Sequence, residues 1–199
     1  MILENNYWFF ENVLSEVECN DIITKYANEP LADAVVIGDS NEQKIEYEKR
    51  KSKVCFIEER ELFERISNVL VTANRNACWN FEIDCAQEIQ FAEYSTGNYF
   101  DWHVDQIPLP RTMDLNDKFK NKTRKLTVCV ALNNKEEYTG GNLEIGISQN
   151  GEVVPETCKA MDYKGSAIVF PSFLQHRVTE ILSGKRFSLV MWGCGDAFR

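Results

Sequence analysis

Two histidines and one aspartate are the residues of this 199-residue chain best suited to metal chemistry. His103 and Asp105 stand two apart in "YFDWHVDQ" (99–106), and side chains at that spacing on a strand point to the same side. Such a pair alone is too small a ligand set for a catalytic metal, and it is equally explained by a histidine bonded to a nearby acid. His176, the only other histidine of the chain, follows a strand and a proline turn in "FPSFLQHRVTEI". The sequence therefore predicts that these three side chains meet.

Two imidazoles and one carboxylate form the facial triad of non-haem Fe(II) oxygenases, which leaves three coordination positions open. Those positions suit a chelating cosubstrate and O₂. Ten residues after His176, "GKRFSLVMW" places Arg186 and Ser188 on one side of a predicted strand. A guanidinium inside a barrel needs an anion, and its planar fork suits a carboxylate. The alternative for Arg186 is a structural salt bridge.

The motifs carry a family resemblance in this order: "YSTGNYFDWHVD", "RKLTVCVALN", "TGGNLEI" and "GSAIVFPSFLQHRVTEILSGKRFSLVMW". Over about residues 85–193 the chain resembles the 2-oxoglutarate- and Fe(II)-dependent oxygenases, in their prolyl 4-hydroxylase branch. A fainter resemblance covers "WFFENVLSEVECNDII" and "RKS" (50–52). The combination of an HxD motif, a distal histidine and Arg-x-Ser in this order is specific, whereas each piece alone is weak.

The resemblance implies Fe(II), 2-oxoglutarate as cosubstrate, O₂ and, as a further ligand of the branch, ascorbate. The iron ligands that it implies are His103, Asp105 and His176. Arg186 would bind the distal carboxylate of 2-oxoglutarate with help from Ser188. Tyr94 falls where the family often has a tyrosine that faces the cosubstrate, although a core aromatic is an equal interpretation.

One position departs from the family pattern. Many relatives have a tyrosine where this chain has Ala131, and that hydroxyl commonly helps to hold 2-oxoglutarate. Ser188, Thr127 or Tyr94 are candidates for replacing it.

The implied activity is hydroxylation of a substrate C–H, coupled to oxidative decarboxylation of 2-oxoglutarate. The resemblance favours a peptide or protein substrate that contains proline. Hydroxylation of a free amino acid or another small molecule is the alternative reaction. A non-catalytic cupin-like binding module and a zinc hydrolase are the alternative classes, but neither needs Arg186.

The elements that must position these residues are short strands. From residue 82 onward the apolar pattern has period two, with turn residues between the segments. The predicted strands are 88–94, 125–133, 142–147, 166–170 and 186–192. In "KLTVCVALN" one face is bulky and the other, with Thr127, Cys129 and Ala131, is small. The bulky face suits helix packing and the small face leaves space for a cavity.

The first third of the chain has a mixed pattern, in which "YWFF" predicts a short strand and two segments predict helices. "SEVE" (15–18) has the pattern of a capping box, and an apolar stripe over 59–78 predicts a second helix. The expected fold is mainly β with flanking α: a double-stranded β-helix, which is a jelly-roll or cupin-like barrel, supported by N-terminal helices. We expect one domain over residues 1–199, with 1–81 as support and 82–195 as the catalytic core.

Composition sets further expectations. The net charge of −9 opposes binding to phosphate backbones, so we expect no nucleic-acid partner, although "KFKNKTRK" (118–125) is basic and most simply a solvated loop. The long stretch 106–123 lacks strand periodicity and is a candidate lid. The absence of a signal-peptide pattern and of an apolar run long enough to span a bilayer favours a cytoplasmic protein with no membrane partner.

Overall fold

The computed structural model describes residues 3–37, 43–107, 119, 122–149 and 151–198. Across these residues the chain is mainly β and its strand pairs are antiparallel, as expected. The strands of the N-terminal half are β1 (Trp8–Phe10), β2 (Ala32–Asp33), β3 (Val36–Ile37), β4 (Gln43–Lys44), β5 (Arg50–Lys51), β6 (Lys53–Ile57), β7 (Cys85–Ala86), β8 (Ile89–Ser95) and β9 (Tyr99–His103). Those that follow are β10 (Lys122–Ala131), β11 (Tyr138–Gly140), β12 (Leu143–Gln149), β13 (Glu152–Thr157), β14 (Ala167–Pro171), β15 (His176–Val178) and β16 (Ile181–Asp196). The two α-helices are α1 (Glu16–Tyr26) and α2 (Arg60–Asn76).

The strands form two main sheets. The larger has the order β1-β14-β10-β16-β8-β6-β2, with β7 and β11 also paired to β16. The smaller has the order β13-β12-β15-β9-β5, and β3 pairs with β4 separately. Both the ends of the chain and its middle contribute to the larger sheet, so distant segments are brought side by side.

Strand β10 separates the two parts of the core. Leu126, Val128 and Val130 belong to a cluster that includes the buried faces of both helices. Cys129 and Ala131 point to the other side, into a cluster with residues of the smaller sheet. The predicted division of this strand into a bulky helix-facing side and a small inner side is therefore confirmed.

Helix α1 begins at the predicted capping box. The Ser15 hydroxyl accepts a hydrogen bond from the Glu18 amide, and the Glu18 carboxylate accepts one from the Ser15 amide at 2.8 Å. Arg65 of α2 donates to the same carboxylate, so the cap also ties the two helices together. The hydrogen bond from the Ser15 amide, followed by that from Arg65, lowers the pKa of Glu18 to about 2.

This cap predicts a pH-dependent contribution to stability. A depressed carboxyl pKa stabilises the fold above the ordinary value of 4.5, and the contribution disappears as the pH falls towards 2. The difference in free energy of unfolding between wild type and Glu18→Ala should therefore shrink between pH 5 and about pH 2. Urea unfolding at several pH values measures it, with Glu16→Ala in the same turn as the control. A difference that grew on acidification would contradict the assignment.

The sequence did not predict several of the strands, among them β5, β6 and β13. β5 and β6 lie between the two predicted helices, and β13 lies at 152–157. Each pairs at or near a sheet edge, where a short strand carries little periodicity of its own. In the described part of the chain no helix is long and apolar enough to cross a bilayer.

Candidate metal centre and its cavity

His103 and His176 are directly opposite each other in the smaller sheet. His103 is the last residue of β9, His176 is the first of β15, and the two are paired in register. Their ring centroids lie 4.1 Å apart. Phe100 stacks on His103 at 3.4 Å, and the edge of Phe170 meets His176 at 4.7 Å, so aromatic packing fixes both rings.

Backbone carbonyls determine the tautomer of both histidines. Nδ1 of His103 lies 2.7 Å from the Asp101 carbonyl, and Nδ1 of His176 lies 3.0 Å from the Leu174 carbonyl. Because a carbonyl only accepts, each Nδ1 carries the proton and donates it. Each Nε2 therefore keeps its lone pair, and this is the arrangement that a metal-binding histidine requires.

Asp105 faces both Nε2 atoms, although it does not lie on the strand. β9 ends at His103, and the Asp105 amide instead donates to the Ser172 carbonyl at 2.9 Å. Its Oδ1 is 3.7 Å from Nε2 of His103, and its Oδ2 is 3.4 Å from Nε2 of His176. The expectation that the HxD pair lies on one continuous strand is wrong, but the extended backbone still makes the two side chains converge.

Two donors orient the Asp105 carboxylate. The Thr127 hydroxyl and the Trp192 indole N–H both donate to Oδ2, at 2.8 and 2.9 Å. Thr127 and Trp192 are themselves paired across β10 and β16. Oδ1 receives neither of these hydrogen bonds and faces Nε2 of His103. Thr127 serves Asp105 in this way, so it is not the replacement considered above for the missing tyrosine at Ala131.

The electrostatics favour the metal-binding forms of His103 and Asp105. Burial, followed by the charge of His176, lowers the pKa of His103 to about 3, so its imidazole is neutral near pH 7. Burial alone would raise the pKa of Asp105, but His176, His103 and Arg124 more than offset this and the pKa is lowered. A carboxylate beside a neutral imidazole is a ligand set ready for a divalent cation.

The donor set fits a transition metal. The ligand atoms of His103, Asp105 and His176 all lie within 4.8 Å of one another, and the three side chains are largely buried. Two imidazole nitrogens and one carboxylate oxygen on one side of a metal leave the other positions open. The predicted convergence of these residues is therefore present in the structure.

Trp192 gives a direct test of how Asp105 is oriented. Trp192→Phe keeps an aromatic face, which lies 3.8 Å from the Arg124 guanidinium carbon, but loses the N–H that holds Oδ2. We expect affinity for Mn²⁺ or Fe²⁺ to fall about 10–100-fold, the usual cost of losing such a partner. Anaerobic metal titration measures it. Trp79→Phe is the matched control, because that N–H donates to Asn5 far from the triad. Unchanged metal affinity in Trp192→Phe would contradict the assignment.

The triad opens into a cavity of about 550 Å³ between the two sheets. Alternate residues of β16 face it, which are Arg186, Ser188, Val190 and Trp192. A volume of this size is in the range of small-ligand sites. The candidate lid, 106–123, lies largely outside the described residues.

Arg186 is buried at one end of this cavity. Its Nη1 donates to Ser188 at 3.0 Å, and its guanidinium carbon lies 5.6 Å from the ring centroid of Tyr94, its neighbour on β8. Among the described residues no carboxylate lies within 4.0 Å of Arg186, so no structural salt bridge accounts for it there. The predicted cluster of Arg186, Ser188 and Tyr94 is thus present, with a buried cation that needs an anion.

Tyr138 is a residue of this end that the sequence did not reveal. It is buried on β11, and burial raises the pKa of its phenol while the charge of Arg186 and a hydrogen bond from it act in the opposite direction. Tyr138 therefore brings a hydroxyl to Arg186 in a chain that has Ala131 at the usual tyrosine position. The only sequence signal was its place just before "TGG".

Two further arginines line the cavity and were also missed. Arg50 is buried on β5, and Arg124 is partly buried on β10. The basic run 118–125 was interpreted as a solvated loop, and this is wrong for its described end. Lys122 pairs with Asp84 and Asp196, and Arg124 faces the cavity.

Comparison with known proteins agrees with the geometry. The model of the 2OG-Fe(II) oxygenase superfamily matches residues 89–193. A PKHD-type hydroxylase of Alteromonas mediterranea is 32% identical over 104 residues, which is 51% of this chain and 41% of that protein. A PKHD-type hydroxylase of Synechococcus sp. is 32% identical over 98 residues, or 49% of this chain and 37% of that protein. The chain thus spans less than half the length of these curated relatives.

Solved structures share the fold over nearly the whole chain. A Pseudomonas putida prolyl-4-hydroxylase has a TM-score of 0.68 at 17% identity, covering 96% of this chain and 93% of that one. A Trichoplax adhaerens prolyl hydroxylase, in complex with a hypoxia inducible factor oxygen degradation domain peptide fragment, has a TM-score of 0.66 at 19% identity, covering 96% and 84%. At these identities the likeness concerns the fold.

Proposed function

The chain belongs to the 2OG-Fe(II) oxygenase superfamily, and on that premise we propose that it is an Fe(II)- and 2-oxoglutarate-dependent hydroxylase. Membership implies Fe(II), 2-oxoglutarate and O₂. The reaction converts a substrate C–H, 2-oxoglutarate and O₂ into the C–OH product, succinate and CO₂. The observation that carries the proposal is a buried triad of two histidines and an aspartate sharing one cavity with a buried arginine.

In this proposal His103, Asp105 and His176 hold the iron. Both histidines would use Nε2, because Nδ1 of each donates to a carbonyl, and Asp105 would use Oδ1, because Oδ2 accepts from Thr127 and Trp192. When bound, the iron supplies the activation of O₂ at the expense of the 2-oxo acid. The protein's part is to fix the ligands before the metal arrives, so little reorganisation is needed.

Arg186 would receive the distal carboxylate of 2-oxoglutarate. A guanidinium and a carboxylate form two parallel charge-assisted hydrogen bonds, and the low-dielectric cavity strengthens them. Ser188, Tyr94 and Tyr138 surround the same guanidinium and restrict its orientation. Such a contact would orient the cosubstrate towards the triad and neutralise the charge of Arg186. Ascorbate is proposed as a further ligand from the family resemblance alone.

We also propose the finer architecture. The two sheets would be the walls of a double-stranded β-helix, supported on the outside by α1 and α2. Residues 82–195 would form the catalytic core and residues 1–81 its support, within one domain. The packing of both helices on the larger sheet supports this division.

The proposed substrate is a residue in a peptide or protein, with proline as the first candidate. Support comes from the likeness to the Pseudomonas putida and Trichoplax adhaerens prolyl hydroxylases, the second of which is bound to a peptide. The net charge of −9 opposes a nucleic-acid substrate.

Product analysis tests the proposal. The protein is incubated with Fe(II), 2-oxoglutarate, O₂ and either proline-containing peptides or single-stranded oligonucleotides, and succinate and product masses are measured. The expected result is succinate formation stimulated by some peptides, with a gain of one oxygen atom on the peptide. Stimulation coupled to a gain of oxygen on an oligonucleotide, with none on any peptide, would overturn the substrate class. No succinate under any condition would overturn the hydroxylase itself.

A further inference from the structure

The cavity is strongly cationic in a chain that is acidic overall. Of the described residues that line it, Lys49, Arg50, Arg124 and Arg186 are cationic and Asp105 alone is acidic. The whole chain carries a net charge of −9. A cleft lined by one sign of charge focuses its field on the ligand and raises the local concentration of the opposite ion. Arg186 and the triad account for only part of this charge.

Arg50 is a buried cation with no acidic partner among the described residues. It is 7% exposed, its Nε donates to Ser52 at 2.9 Å, and its guanidinium carbon lies 4.6 Å from the Phe100 ring centroid. Phe100 in turn stacks on His103. Neither the hydroxyl nor the ring neutralises the charge, and a buried charge without a partner is expensive. The remaining nitrogens of Arg50 are therefore close to the metal centre, with no anionic group to bind in the part of the chain that the structure describes.

Arg124 joins Arg50 and increases the positive potential. Its Nε donates to Gln87 at 2.6 Å and its guanidinium lies over Trp192. Trp192 donates to Asp105 and Phe100 stacks on His103, so each arginine is one aromatic ring away from a triad residue. Burial lowers the pKa of Arg124, and the charge of Asp105 opposes this. Two cations held together in a cavity call for an anion between or beside them.

Arg124 lies on the opposite side of the metal centre from Arg186. Trp192, which holds Asp105, is six residues from Arg186 on β16, a distance of roughly 20 Å along the strand. Arg124 pairs with Cys194, which lies beyond Trp192 in the other direction. A small dicarboxylate at Arg186 therefore lies away from Arg124, and among the described residues Arg50 still has no acidic partner.

We propose that the substrate carries a carboxylate that Arg50 and Arg124 receive on the side of the metal centre away from Arg186. This rests on the proposed function, since it assigns that side of the cavity to the substrate. Carboxylate is favoured over phosphate, because the described lining residues include none from the first turns of α1 or α2, where backbone N–H groups would cradle a phosphate. The carboxylate can belong to a free acid or to the C-terminal residue of a peptide.

Matched acids and amides test the proposal. N-acetyl amino acids and short peptides, each as the free acid and as the primary amide, are titrated into the protein under anaerobic conditions with Fe(II) and saturating 2-oxoglutarate. Calorimetry gives the dissociation constants. In wild type we expect some acids to bind on the order of tenfold to a hundredfold more tightly than their amides, the range expected for a charge-assisted contact. Binding by N-acetyl amino acids identifies a free acid as the source, and binding only by longer peptides identifies a C-terminal residue.

Variants locate the contact. Arg50→Gln, which keeps a donor for Ser52, should remove most of the preference for acids, and Arg50→Lys should keep part of it. Arg65→Gln, which removes the same charge from an arginine paired with Glu18, should leave the preference intact. Arg124→Gln gives a second test if Arg50→Gln fails to fold.

Three results would overturn the carboxylate assignment. They are equal affinities for acids and amides in wild type, a preference that survives in both arginine variants, and tighter binding of phosphorylated peptides at the same arginines. The visible absorption of the Fe(II)–2-oxoglutarate complex is recorded in every titration. Its absence from wild type would instead count against the proposed function, so the two failures are distinguishable.

Discussion

Alanine at His103, Asp105 or His176 is expected to abolish 2-oxoglutarate-dependent succinate formation. Each substitution leaves two ligands, which is too few to hold the metal and also keep its open positions on one side. The loss should exceed the roughly 10–100-fold that follows from losing a group that only orients a ligand, as in Trp192→Phe. Succinate release at saturating Fe(II) measures it, with circular dichroism to confirm that the variants fold.

Asp105 allows the sharpest form of this experiment. Asp105→Asn keeps an oxygen that can accept from Thr127 and Trp192. The atom left to bind the metal is then an amide NH₂ group or an uncharged oxygen, and neither replaces a carboxylate oxygen. Asp105→Glu moves the carboxylate by one methylene, further than metal–ligand distances tolerate. Both should fail as completely as Asp105→Ala. Asp33→Ala is the control, because that carboxylate is on the surface and accepts from Tyr47. Near-normal turnover in any one triad variant would exclude that residue as a ligand.

Arg186→Ala should greatly raise the dissociation constant for 2-oxoglutarate and should change the affinity for Fe(II) little. Removing one partner of a buried charged pair costs roughly 2–5 kcal/mol, because the other charge is left unpaired. This corresponds to an increase in the dissociation constant of about 30-fold to several thousandfold. Ser188→Ala should show a milder form of the same defect, since the Ser188 hydroxyl accepts a hydrogen bond from the Arg186 guanidinium.

The control for Arg186 lies beside it in the sequence. Lys185 points to the opposite face of β16 and pairs with Glu93 at 3.0 Å. Lys185→Gln keeps a donor for Glu93 and should leave the 2-oxoglutarate requirement unchanged. Separate titrations of Fe(II) and of 2-oxoglutarate distinguish the two roles. An equal loss of both affinities in Arg186→Ala would show that the arginine maintains the fold and does not bind the cosubstrate.

The convergence of the triad could be predicted because its signal is local or unique. His103 and Asp105 are two residues apart, and His176 is the only histidine left to join them. The inner and outer faces of β10 could also be predicted, because successive side chains of a strand point to opposite sides of the sheet.

The placement of Arg50 and Arg124 in the cavity could not be predicted, because it depends on pairings between distant segments. Arg50 reaches the cavity through β5, a strand of two residues that pairs with β9 about fifty positions later. Arg124 belongs to a run of basic residues, and such runs are usually solvated. Only the pairing of β10 with β16 places it over Trp192. Tyr138 reaches Arg186 in the same way, through the pairing of β11 with β16.

Anaerobic titration of the protein with Fe(II) and then 2-oxoglutarate tests the central claim most directly. A 2-oxo acid that chelates Fe(II) through two positions gives a visible charge-transfer band, and this requires a protein that leaves adjacent positions open. Wild type should develop the band with about one equivalent of each component. His176→Ala should not develop it, and Arg186→Ala should need much more 2-oxoglutarate. A wild-type protein that binds Fe(II) but gives no band at any concentration of 2-oxoglutarate would contradict the account.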